Sequence, residues 1–128
     1  MSEMVYDAHL EDLYKKYTAL PEMEKRAVET LSVLFGGFYK YVKLRNLSAL
    51  MGYKLTNPEL TDLLTSLRKK GLVEVDGHYY VVEVELRLRL FLELMQDPHY
   101  VDLVFNTDVS DYSQPMRVTP ELLLRNYL

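Results

Sequence analysis

The sequence predicts an α+β domain in which helices come first and a β-hairpin follows, and three observations carry that expectation. Leu60, Leu63, Leu64 and Leu67 recur at the spacing of one helix face, and Gly71 stops the pattern. Directly after it, LVEV (72–75) and HYYVVEV (78–84) alternate apolar and polar residues as strands do, with Asp76-Gly77 between them as a short-hairpin signal. The chain of 128 residues is long enough to bury a core without staples, and it has no cysteine to staple with.

Each element follows in order. Tyr6, Leu10, Leu13, Tyr14 and Tyr17 recur at helical spacing, with Glu11, Asp12, Lys15 and Lys16 between them, which predicts an amphipathic helix over 7–19 that Pro21 ends. Glu22 opens a second helix with an apolar stripe of Met23, Ala27, Leu31, Leu34 and Phe35, stopped by Gly36 and Gly37. FYKYVKL (38–44) is aromatic and β-branched enough for a short strand or an extended linker. A third helix fits Leu44 to Met51, with Gly52 just past its end. Asn57 as N-cap and Pro58 in the first turn then start a fourth, which runs to about Lys70. Beyond the hairpin, ELRLRLFLELM alternates like a strand but uses helix-forming residues, and a helix over 85–96 is the reading adopted. Asp97-Pro98 ends it, 106–118 reads as a polar connector, and Thr119-Pro120-Glu121 opens a last helix that stops after about two turns. The expected organisation is an N-terminal helical appendage (1–20), a central domain (21–96), and a connector with the start of a further helix (97–128). The short final helix suggests the N-terminal piece of a longer polypeptide, or else a C-terminal turn docked on the domain.

Composition excludes several classes. Without cysteine there is no disulfide framework, thiolate nucleophile or Cys-ligated zinc, and a cytoplasmic setting is expected. The N-terminus lacks an uninterrupted apolar core, so no signal peptide or membrane partner is expected. The net charge of −4 argues against nonspecific coating of nucleic acid. Residues 43–70, with 6 basic and 2 acidic groups, are locally positive; 71–86 carry 4 acidic groups and no basic one. An anion-binding face therefore belongs within 43–70.

The order helix, strand, helix, turn, helix, hairpin over 21–84 resembles the winged helix-turn-helix fold, a three-helix core plus a two-stranded wing. The resemblance rests on LSALMG as the motif's first helix, LLTSLRKKGLVE as the helix entering the wing, and DGHYYVV as the wing. LSVLFGGF followed by LTDLLTSLRKKGLVE and YYVV is loosely similar to the winged helices attached to AP-ATPase-type signalling proteins. Those ATPases carry a nucleotide-binding domain before the winged helix, whereas only about twenty residues precede it here and no GxxxxGK[ST] loop occurs, so no nucleotide chemistry carries over.

In winged helices the fourth helix of this chain would be the one that reads bases in the major groove. Its outward face is Pro58, Asp62, Thr65 and Lys69, flanked by Thr61 and Ser66. Base reading favours Arg, Lys, Asn or Gln near the N-terminal end. Here stand Glu59 and Asp62, while Arg68, Lys69 and Lys70 lie two to three turns away. Lys40, Lys43, Arg45 and Lys54, interleaved with Tyr39, Tyr41 and Tyr53, offer phosphate contacts and stacking surfaces. His9, His78 and His99 show no metal-ligand spacing, and Ser32, Ser48 and Ser66 sit inside helical patterns, so no catalytic, metal or cofactor residue is assigned. Glu83 and Glu85 are read as the solvent side of the wing. The sequence thus points to a non-catalytic binding or regulatory module that contacts another protein or a further domain of its own chain, with a helicase or signalling ATPase as conjectured parent. A sequence-specific DNA-binding regulator using Thr61, Thr65, Arg68, Lys69 and Lys70 is the alternative, and the 7–19 stripe leaves a homodimer open.

Overall fold

The computed structural model describes residues 2–34, 38–39 and 45–107. Among them are six helices and a three-stranded antiparallel sheet, a mixed α+β layout compatible with a winged-helix arrangement. The helices are α1 (Ser2–Thr18), α2 (Glu22–Leu34), α3 (Arg45–Met51), α4 (Asn57–Lys69), α5 (Val84–Leu94) and α6 (Pro98–Asn106). The strands are β1 (Phe38–Tyr39), β2 (Val73–Asp76) and β3 (Tyr79–Val82), in the order β1-β3-β2. None of the described helices is long and apolar enough to cross a membrane.

Helix α2 is the axis of the molecule, touching α1, α3, α4, α5, α6 and β3. From Ala27 onward it is buried nearly all round, because its last two turns present Ala27, Val28, Leu31 and Leu34 to one cluster and Val33 to another. The main core joins these to Leu13, Tyr17 and Leu20 of the N-terminal segment, Leu47 and Met51 of α3, the four leucines of α4, and Val73, Val82, Leu86 and Leu90. Burying each such leucine contributes about 1.5–3 kcal/mol. Leu13, Tyr14 and Tyr17 of the α1 stripe therefore pack on their own chain, while the side chain of Tyr6 lies outside the described residues. Met23, expected in the stripe of α2, is 45% exposed instead: its turn lies ahead of the part of the helix that the other elements cover.

Several boundaries differ from expectation, each for a local reason. Thr56 is the N-cap of α4, and Asn57 is already helical. The Thr56 hydroxyl accepts from the Glu59 N–H at 3.3 Å while the Glu59 carboxylate accepts from the Thr56 N–H at 3.1 Å, a reciprocal capping box that Asn57 as cap could not form, since Leu60 three residues after it has no carboxylate. The hairpin loop is Gly77-His78, one residue later than read, because Asp76 pairs with Tyr79; Gly77, at φ 61°, takes the left-handed conformation the turn needs. Glu83 is the N-cap of α5, its carboxylate accepting from the N–H groups of Glu85 and Leu86 at 2.9 and 3.2 Å, so Glu83 and Glu85 lie at a helix start rather than on the wing. Asp97-Pro98 both ends α5 and opens α6, within the stretch read as connector, with Asp97 capping the His99 N–H at 2.9 Å. Phe35 and the helix expected from Thr119 fall outside the described residues.

A polar clamp holds the outer helices on α2. The Glu29 carboxylate accepts from the hydroxyls of Tyr17 and Tyr100, and Arg26 donates to the Tyr100 oxygen at 2.9 Å. Burial first, and then the bond to Glu29, pushes both phenols well above their ordinary pKa. Beside the clamp, the Arg89 guanidinium lies 3.8 Å from the centre of the Tyr14 ring and bonds Glu11 at 3.1 Å, tying α1 to α5.

Candidate interaction surface

Helix α4 sits at the edge of this assembly, packed on α2, α3 and β2. Its leucines at 60, 63, 64 and 67 are all buried, which turns Thr61, Asp62, Thr65, Arg68 and Lys69 to solvent as their spacing requires. The entry into α4 is fixed by Ser48 of α3, whose hydroxyl donates to the Tyr53 carbonyl and accepts from the Leu55 N–H, both at 2.7 Å. The Tyr53 N–H in turn donates to the Ser48 carbonyl at 2.9 Å. Gly52, at φ 83°, turns the chain between them. One buried serine thus closes the α3–α4 turn with three hydrogen bonds, which explains Ser48 without any nucleophilic role.

The charges expected on the surface divide into two groups. Lys54 is exposed beside a shallow groove with Asn46 and Tyr53, ahead of the start of α4. Arg68 and Lys69 are exposed in its last turn, so about 18 Å of helix separates the groups. Lys70 is occupied: its ammonium bonds Glu24 of α2 at 3.0 Å, and the same carboxylate accepts from Ser66 at 2.7 Å. Arg68 and Lys69 have no carboxylate partner among the described residues. Tyr39 and Arg45 are placed by backbone only, in β1 and at the start of α3. Lys40, Tyr41 and Lys43 lie outside the described residues.

At the start of α4 the surface is anionic. Asp62 is exposed, and the capping bonds, from the Thr56 backbone first and its hydroxyl second, hold the Glu59 carboxyl below the usual range. Thr61 and Thr65 are the exposed neutral residues of the same face. A groove that the sequence reading missed lies beyond Thr65. It runs between α4 and β2, has a volume of about 520 Å³, and is lined by Thr65, Arg68, Lys69, Val73, Glu74 and Val75. Its signal, cations in one element and an edge strand in the next, becomes visible only once strand order is known.

Ser32 donates to the Val28 carbonyl at 2.8 Å within its own helix. His9, which shows no metal-ligand spacing in the sequence, comes together with Glu83 and Glu85, their ligand atoms within 4.8 Å of one another. Glu83 is engaged in capping α5, and the His9 imidazole stands 3.9 Å from Glu85 with its side chain 56% exposed. Compared with known protein families, characterised proteins and solved structures, the chain matches none.

Proposed function

We propose that this chain is a non-catalytic winged-helix module that docks on another protein or on a further domain of its own polypeptide, with the outward side of α4 as its contact surface. The observation that supports this reading is the distribution of charge along α4. The end a winged helix would turn toward bases carries Glu59 and Asp62, and its uncommitted cations, Arg68 and Lys69, stand only in the last turn. Cations there also complement the helix dipole, so they need no nucleic acid to account for them. The buried turn at Ser48 makes the surface a preformed one.

The runner-up is a sequence-specific DNA-binding regulator, favoured by the exposure of Arg68 and Lys69 beside the wing strand, with Thr61, Thr65 and Lys70 nearby. Titrating labelled duplex DNA at two or more salt concentrations separates the two. Two phosphate-neutralising cations on α4 give a log–log salt slope of about 2, with weak binding. A slope of about six or more, with retained affinity at low salt, overturns the protein-docking reading. A parent protein such as a helicase or signalling ATPase belongs to the same proposal.

A further inference from the structure

We infer that the open edge of β2 accepts an extended acidic peptide segment of a partner as an added strand. This deepens, and rests on, the protein-docking reading. Among the described residues, the sheet order β1-β3-β2 leaves β2 with one neighbour. Which of its main-chain groups face outward follows from the ladder. The Glu83 N–H donates to the Leu72 carbonyl at 3.1 Å, so Leu72 and Glu83 form a hydrogen-bonded pair. Such pairs alternate in antiparallel sheets, which makes Glu74↔Val81 and Asp76↔Tyr79 hydrogen-bonded pairs and leaves Val73↔Val82 and Val75↔Tyr80 as non-bonded ones. The N–H and C=O groups of Val73 and Val75 therefore point away from β3, into the groove shared with Thr65, Arg68 and Lys69. That is the geometry of strand addition, in which main-chain bonds hold the peptide and flanking side chains choose it.

The flanking charges specify the peptide. Along the groove toward α4, Arg68 and Lys69 have no carboxylate partner among the described residues and outnumber the one acidic lining residue, Glu74, which selects Asp or Glu at every second position. On the opposite face Glu74 and Asp76 are exposed, with Arg87 of α5 near enough to offset part of their charge, which favours uncharged residues at the intervening positions. The occupant is an alternating acidic–apolar stretch, and its length is set by a strand of four residues.

The test uses the full 128-residue chain, a blocked hexapeptide alternating Glu and Val, and the same peptide with Lys for Glu. Amide exchange of Val73 and Val75 is followed by NMR. The Glu peptide is expected to slow both amides at least about tenfold and the Lys peptide to leave them unchanged. Val75→Pro, which removes an outward N–H and leaves the donors of the β2–β3 ladder in place, is expected to abolish the remaining protection at Val73. Arg68→Glu with Lys69→Glu is expected to transfer it to the Lys peptide, a gain that an unfolded variant does not give. Unchanged exchange at Val73 and Val75, with or without shifts around Lys54 and Thr61, overturns strand addition and leaves the protein-docking reading to the DNA titration. Protection of these amides that rises with protein concentration before peptide is added overturns the peptide assignment in favour of a second copy.

Discussion

Helices α2 and α4 are both thirteen residues long, and the structure treats them in opposite ways. The later turns of α2 are enclosed by five helices and a strand, and even Thr30 and Ser32 there are buried. Helix α4 buries four leucines on one face and leaves the other uncovered. The later positions of α2 answer to several neighbours, while the side chains of Thr61, Asp62, Thr65, Arg68 and Lys69 of α4 have no hydrogen-bond or ion-pair partner among the described residues. The difference separates residues that hold the shape from residues available for a partner.

Substitutions break that comparison or sharpen it. The largest effect is expected from Leu31→Ala in α2, wholly buried in the main core, at about 2–5 kcal/mol by urea denaturation. Next comes Tyr100→Phe, which leaves Glu29 with one fewer donor in a half-buried site and costs about 1–3 kcal/mol in the same measurement. The same clamp has a pH signature. Tyr17 and Tyr100 have raised pKa values in the folded state, so their stabilisation is complete below the ordinary phenol value of about 10 and declines as pH rises above it. Denaturation midpoints followed from neutral to alkaline pH should be flat and then fall, and Tyr17→Phe with Tyr100→Phe should remove part of the fall.

Thr56→Ala, which opens the capping box of α4, is expected to cost about 1 kcal/mol, whereas Asn57→Ala should cost much less. Smallest of all, Thr65→Ala and Lys69→Ala should stay within about 0.5 kcal/mol of the parent stability. A loss of 2 kcal/mol or more at Thr65 would mean that the outer face of α4 has a partner inside the molecule after all, an outcome of about the size seen for core truncation.

What local pattern could and could not reveal is plain along α4. Its leucine face was readable from spacing, since a helix period maps directly onto burial. Its start was misplaced by one residue because Thr56 and Asn57 are both good caps, and the choice depended on where Glu59 would reach. Lys70 read as a contact residue because its partner, Glu24, lies 46 positions away. The clamp joining Glu29 to Tyr100 spans 71 positions and left no trace in either segment. At the hairpin, alternation through Val84 conceals the change to helix, which is set by Glu83 turning its carboxylate onto the N–H groups of Glu85 and Leu86. Pairings between distant segments depend on tertiary packing, so the α4–β2 groove escaped the sequence while the helices around it did not.

The serine that ties α3 to α4 has a kinetic consequence. Because Ser48 satisfies both a carbonyl and an N–H of the intervening turn, α4 would, if it docks as proposed, arrive at an encounter with its orientation already decided. Association should then proceed in one step, with an observed rate rising linearly in ligand concentration and no plateau from a slow rearrangement. Ser48→Ala would strip both bonds, letting α4 swing before it settles and bending that line into a hyperbola.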